Sequence, residues 1–311
     1  MAIKSERAES IIRLTNLTKK FGRVTAINNV SLEFSKGLNI ILGPNGAGKS
    51  TLLRCIDGLY KADNGRVSVL GEDPYLSNGL KTQMSLLSDN YALYDHLSVI
   101  GNLKFFGRLD GLKDAEIDES AKRFLKELDA MQYINSRVYQ LSRGTKQKVA
   151  FCRSVLNDPR ILLLDEPTAF LDASASEVVR NFMLNYEKEG RTVLFVTQKL
   201  DEVTRFNGRV VVIRRGSVVK DVTIEQLYGS MLRDIDVSIR LATPISLKLA
   251  KSIPGFQEAN SAKPTMVKIR VRDYKSINKV LSYLIDNDAY IASVDYIEPV
   301  ISGLSSGKVG D

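Results

Sequence analysis

The 311-residue chain has no tryptophan, one histidine (His96) and two cysteines (Cys55 and Cys152). A single histidine excludes a His-clustered metal site, and it excludes a Ser-His triad unless a matched nucleophile stands beside it. Two cysteines cannot build a disulfide scaffold. Both fall among apolar neighbours in segments of helical pattern, which predicts buried, inert thiols. Long hydrophobic runs are missing too. Residues 40–42 and 161–164 are typical, whereas a bilayer-spanning helix needs about 20 apolar residues. Near Met1, charges at Lys4, Glu6, Arg7 and Glu9 interrupt every run, so no signal-peptide core is expected and the cytoplasm is the simplest compartment. No Lys/Arg block is long enough for a nucleic-acid arm, and nucleic acid is not an expected partner. There is no internal repeat.

At 44% hydrophobic and 26% charged, the composition is that of a globular protein rather than a disordered, collagenous or coiled-coil chain. The length suits one large domain or two ordinary ones. The net charge of +8 reads as a solvated basic surface, compatible with polyanionic or membrane-surface neighbours.

Residues 11–14 and 30–34 read as strands, and 38–42 as a strand buried on both faces that ends at Gly43. Residues 66–70 form another strand. From about Asp95 to Asn157 the pattern is helical, with Ile117, Ala121, Phe124, Leu125 and Leu128 on one face. Strands are expected again at 161–164, 192–197 and 209–213. Ser174 and Glu177 form a capping-box pattern for a helix ending at Gly190. Strand–helix alternation of this kind predicts an α/β fold with a mainly parallel sheet. The boundary is set at 229/230. Residues 230–311 predict a small α+β domain in β-α-β-β-α-β order, the ferredoxin-like arrangement: strand at 237–241, helix at 245–252, strands near 256–260 and at 265–271, helix at 276–285, strand at 290–297. The Gly/Ser/Lys tail from Ser302 is expected to fray.

Gly43-Pro44-Asn45-Gly46-Ala47-Gly48-Lys49-Ser50 fits G-x-x-x-x-G-K-[ST]. Alone, such a match is also a Gly-rich turn with an incidental lysine. Here a buried strand precedes it and Thr51 continues into a helix start, the setting a phosphate loop requires. Curled backbone N–H groups and a helix N-terminus face phosphate oxygens. Lys49 is then placed for the β- and γ-phosphates, Ser50 for Mg²⁺ and Thr51 for the α-phosphate. Asp165 and Glu166 end the apolar strand at 161–164. Beside a phosphate loop, an aspartate there holds Mg²⁺ and the next acid polarises the attacking water.

Leu141-Ser142-Arg143-Gly144-Thr145-Lys146-Gln147-Lys148, upstream of Asp165, resembles the signature motif of the ATP-binding cassette (ABC) ATPases, LSGGQ followed by a basic helix. With the two motifs above, the resemblance covers residues 10–228. The Ser-Arg-Gly form and the added C-terminal domain look most like the ATPase subunits of ABC-2 type exporters. The resemblance implies an ABC-type fold with a mainly parallel core sheet, an antiparallel β subdomain and a helical subdomain. It implies ATP and Mg²⁺ as ligands, and a head-to-tail pair of ATPase subunits, homodimer or heterodimer. It also implies an integral-membrane permease as partner, and hence a peripheral place on the cytoplasmic face. Each ATP would lie on one subunit's phosphate loop, capped by the other's Ser142 and Gly144. Phe21 matches the aromatic that stacks on adenine, and Asp172 the loop that crosses the dimer interface.

Two positions depart from the family pattern. Asp89 stands where a glutamine is usual in the coupling loop, bringing negative charge toward the γ-phosphate. Gln198 replaces the histidine after the 192–197 strand. Its amide can hydrogen-bond a phosphate but carries neither proton nor charge. These departures predict slow hydrolysis, or one weak site in an asymmetric pair. Alternatives are a soluble ABC ATPase of DNA repair or translation and a nucleotide-gated clamp with little turnover.

Overall fold

The structure is a computed structural model that describes residues 10–231, 235–271 and 274–297. In chain order, β1 (Ser10–Phe21), β2 (Val24–Ser35) and β3 (Gly37–Leu42) lead into α1 (Lys49–Ile56), β4 (Asn64–Val69) and β5 (Met84–Leu87). Helices α2 (Val99–Leu109), α3 (Asp114–Glu127) and α4 (Arg143–Val155) follow. Then come β6 (Ile161–Asp165), α5 (Ala173–Lys188), β7 (Thr192–Thr197), α6 (Leu200–Val203), β8 (Arg209–Arg214) and β9 (Ser217–Thr223).

β1, β2 and β4 form an antiparallel sheet in the order β2-β1-β4. Its inward positions Ile12, Leu14 and Leu17 are buried while Arg13, Thr15 and Asn16 are exposed. The break in alternation at Asn16, where φ is +50, is a bulge that shifts the register with β2. The second sheet runs β5-β6-β7-β3-β8-β9 and is parallel from β5 to β8. Every residue of β6 and β7 is buried, which explains the continuous apolar runs 161–164 and 193–196. β8 and β9 are joined by Arg215-Gly216, both at positive φ, as a two-residue hairpin turn requires. One apolar cluster links Phe34 of β2, Val67 of β4, Leu52 and Leu53 of α1, and Ile41, Leu163 and Leu194 of the second sheet. α1 is thus held between the two sheets, and the phosphate loop that precedes it is held with it.

The helical stretch is α2–α4 with two 3₁₀ turns, Met131–Tyr133 and Val138–Gln140. β5 and helix α6, four residues each, are too brief for sequence patterning to show, and β9 is not among the strands expected from sequence. One expectation is corrected. The N-cap of α5 is Asp172 rather than Ser174, because the Asp172 carboxylate accepts the Ala175 N–H at 2.8 Å from an extended backbone. A negative charge at that position also suits the positive end of the helix.

The chain divides into two units, one ending at Val222 and the other beginning at Thr223. Helix α7 (Ile224–Met231) therefore groups with the second unit. That unit continues through β10 (Ile235–Leu241), α8 (Leu247–Ser252), β11 (Phe256–Ala259), β12 (Met266–Val271), α9 (Tyr274–Asp286) and β13 (Ile291–Ile297). Its sheet is antiparallel in the order β11-β12-β10-β13. Val237, Ile239, Val267 and Ile269 bury one sheet face with Ala250 of α8 and Val280 and Leu284 of α9. The alternate positions are polar, with Arg270 gripping Asp236 through two 2.7 Å hydrogen bonds. The tail from Ser302 lies outside the described residues. Among the described residues, no helix is long and apolar enough to cross a membrane.

Candidate nucleotide site

Parallel register brings distant sequence positions to one sheet edge. Leu42 of β3 aligns with Thr197 of β7, and Asp165 of β6 aligns with Val196. The phosphate loop, Asp165-Glu166 and Thr197 therefore meet where three strands end, the place where open α/β sheets bind ligands.

A cleft of about 580 Å³ lies there. Of the residues singled out from sequence, Asn45, Gly46, Ala47, Gly48, Lys49, Ser50, Thr51, Asp89, Asp165 and Glu166 line it. Gly43 and Pro44 shape it from behind, since their carbonyls accept hydrogen bonds from Lys49 Nζ at 2.8 and 3.1 Å. Gly48 has φ +100, and a Cβ there would lie 2.4 Å from the Ala26 carbonyl oxygen. Only glycine lets the loop pass so close to β2.

Lys49 is buried, and its ammonium lies 3.9 Å from Glu166 Oε1. Burial lowers the Lys49 pKa, while the charges of Glu166 and Asp165 pull it back up. Burial likewise raises Asp165, against a hydrogen bond from Ser50. Glu166 is raised chiefly by burial, with Lys49 opposing. Glu166 Oε1 is buried without a hydrogen-bond partner, and Oε2 faces the Thr197 hydroxyl at 3.2 Å.

The donor set is oxygen-only: the Ser50 hydroxyl and the Asp165 carboxylate, near enough that Ser50 opposes the rise of the Asp165 pKa. Among the described residues, no group of three or more His, Cys, Asp or Glu side chains could hold a metal alone. That fits Mg²⁺, which takes one or two protein oxygens and completes its shell with phosphate and water.

Other expected residues stand apart from the cleft lining. Phe21 is 45% exposed and packs edge-on to Tyr60 at 5.4 Å. Ser142 caps α4, accepting from the Thr145 N–H at 3.1 Å. Gly144 packs against the Phe170 carbonyl, and Asp172 pairs with Lys148 at 3.3 Å. Gln198 is half-buried just beyond β7. Asp89, which does line the cleft, is paired with Arg54 at 2.5 Å, so its negative charge is compensated rather than free. His96 lies tilted against Tyr139, ring centroids 6.4 Å apart, in the helical segment and far in sequence from β7. Both cysteines are buried, and burial pushes the Cys55 thiol up to about 11.

Sequence reasoning did not single out Val24, Thr25, Ala26 and Arg215, which also line the cleft, nor Arg54 and Glu202. These lie outside the motifs and reach the site through β2, the β8–β9 turn, and helices α1 and α6. Gln147 stands inside the signature stretch 141–148, but the sequence assigned it no role of its own. Glu202 is buried and bonded to the hydroxyls of Thr197 and Thr168.

The family model for the ABC transporter matches residues 27–169. The chain is 36% identical over 227 residues to the ABC transporter ATP-binding protein NatA of Bacillus subtilis, covering 71% of this chain and 92% of that one. It is 34% identical over 223 residues to the spermidine/putrescine import ATP-binding protein PotA of Nitrosomonas eutropha, covering 71% of this chain but only 61% of that protein's length. A solved dimeric ATP-binding cassette, in a post-hydrolysis state with ADP and Pi, superposes with a TM-score of 0.62. It is 28% identical and covers 68% of this chain and 98% of that one. The phosphate loop, the acidic end of β6 and these likenesses place the chain in one family: it belongs to the ABC transporter ATP-binding proteins.

Proposed function

We propose that the chain hydrolyses ATP to drive transport through a separate membrane permease. The observation that carries this reading is the buried Lys49–Glu166 pair at the mouth of a phosphate loop. Lys49 and the loop amides would hold the β- and γ-phosphates. Ser50 and Asp165 would hold Mg²⁺, which supplies charge neutralisation at the transferring phosphoryl group. Glu166, with one oxygen free of hydrogen bonds, is the residue that orients and deprotonates the attacking water. Phe21 is the aromatic offered to adenine, and its exposed face supports that role.

The same reading has two such chains, or this chain and a second ATPase, closing head to tail at the cytoplasmic face of the membrane. Ser142 and Gly144 of each would then cap the other's ATP, and Asp172 would lie at the interface. The exposure of Ser142 and Arg143 supports this, because it leaves the N-terminal end of α4 accessible. The C-terminal sheet order supports a ferredoxin-like accessory domain. Export rests on the Ser142-Arg143-Gly144 form and the added C-terminal domain, whereas the PotA relative is named for import. Substrate accumulation or depletion in vesicles carrying the permease decides the direction.

The test is steady-state hydrolysis by the purified chain with Mg²⁺. Activity lost in Lys49→Ala and Glu166→Gln supports the reading. Slow turnover raised by Gln198→His supports the proposed weakness of the γ-phosphate sensor. An ordinary family rate unchanged by Gln198→His removes that weakness, and nucleotide binding with no turnover in any variant leaves the gated-clamp alternative.

A further inference from the structure

The first two turns of α4 are stitched to the loop between Glu166 and Asp172 at four points. The Arg143 guanidinium lies over the Phe170 ring, 5.6 Å from its centroid. Gly144 lies so close to the Phe170 carbonyl oxygen that a Cβ would come within 2.6 Å of it. Lys148 pairs with Asp172 at 3.3 Å. Between them, Gln147 is buried and donates both amide hydrogens inward, to the carbonyls of Glu166 at 3.1 Å and Pro167 at 3.0 Å.

The Gln147 contact differs in kind from the others. Glu166 has φ +49, a left-handed conformation that non-glycine residues avoid. Such a backbone persists only where its surroundings over-determine it. Three bonds do so here. The Glu166 N–H donates to Val196 at 3.0 Å, its carbonyl accepts the Ala169 N–H at 3.0 Å, and the same carbonyl accepts from Gln147. The first two belong to the β6 end and its own turn. Gln147 alone reaches in from the signature helix.

We propose that Gln147 is a positioning residue for Glu166, pinning the strained backbone that aims its carboxylate and making the signature turn and that carboxylate of one chain move as a unit. The proposal rests on the reading of Glu166 as the group that acts on water. It gives one chain's signature end, which would face a neighbour's nucleotide, a direct mechanical line to the same chain's own reaction centre.

The test uses the full chain. Gln147→Met keeps the volume and removes both donors. The expected result is a kcat lower by roughly 10- to 100-fold with KM for ATP unchanged, because a small misplacement of a reacting group has that effect. Gln147→His, which keeps one ring N–H, recovers part of the loss. In a Glu166→Gln background, Gln147→Met adds no further loss. A risen KM with unchanged kcat, or an equal further loss in the Glu166→Gln background, overturns the proposal. Amide exchange gives a second readout independent of turnover. The Ala169 and Leu171 amides, which bond to Glu166 and Thr168, exchange faster in Gln147→Met, and unchanged exchange overturns the proposal. If the wild-type chain hydrolyses no ATP, the functional reading fails while the exchange measurement still decides the pin.

Discussion

Lys49 Nζ and Glu166 Oε1 stand 3.9 Å apart, and their side chains are only 6% and 19% exposed. No hydrogen bond joins them, so the relationship is one of charge in a place where water screens little. Each is poorly solvated, and each charge favours the ionised form of the other, opposing the larger effect of burial.

Removing either partner therefore has unequal effects. Lys49→Ala deletes the phosphate-facing cation and leaves Glu166 without its nearest positive charge. ATP affinity falls by roughly 10- to 100-fold, the value of a charge-assisted bond, and hydrolysis is lost. Glu166→Gln lowers hydrolysis by about 10²- to 10⁴-fold while ATP affinity is kept. Phosphate release and equilibrium nucleotide binding on both variants check this. A comparable loss of binding in Glu166→Gln would count against a role confined to the chemical step.

Asp57, at the C-terminal end of α1, supplies a pH-dependent stability. Burial raises its carboxyl from an ordinary 3.8 to about 6, with Lys81 and Arg153 opposing. The native state then binds this proton more tightly than the unfolded chain. Stability falls as pH rises from about 4 to about 6 and stays lower above that. Asp57→Asn removes this residue's part of the slope and adds at most about 3 kcal/mol at pH 7. Denaturant melts of both proteins at pH 4.5 and 7 measure it. Identical pH slopes would refute the assignment.

Gly48→Ala places a methyl against the Ala26 backbone in a conformation that alanine avoids. The strain alone is about 1–3 kcal/mol, and relieving it moves the phosphate loop off its amides. A lower Tm together with loss of ATP binding is expected. Full binding would show that the loop can rearrange around the extra carbon.

Asp89 and Arg54 should be read as a pair. Arg54→Ala exposes the cleft to the uncompensated charge of Asp89 and weakens ATP binding. In an Asp89→Asn background the same substitution has a smaller effect. Asp89 is largely exposed, so the coupling is expected within about 1 kcal/mol. A binding double-mutant cycle gives the value, and strict additivity would mean that the two side chains do not act together.

Much of the site was legible because its chemistry is local. A phosphate loop needs glycines, a lysine and a hydroxyl within a few residues, and that grouping is visible without a fold. The acid pair at the end of 161–164 is visible for the same reason. Asp172 is instructive in the other direction. The pattern Ser174…Glu177 suggested the helix start, but the carboxylate two residues earlier caps it, since capping is decided by which side chain reaches a free N–H. β5 has four residues, too few for a period to show, and is a strand because β6 pairs with it.

The sequence by itself determined that a G-x-x-x-x-G-K-S loop lies between a strand and a helix, and that another strand ends in two carboxylates. It also determined that α/β alternation gives way to a smaller α+β segment. Local spacing and periodicity carry all of that. Only the tertiary structure decided that Lys49 and Glu166 face each other, that Arg54 neutralises Asp89, and that Gln147 holds the Glu166 backbone. Those partners are separated by long stretches of chain. They meet because parallel register aligns the ends of β3, β7 and β6, and because α4 packs its first turns against the loop that follows β6.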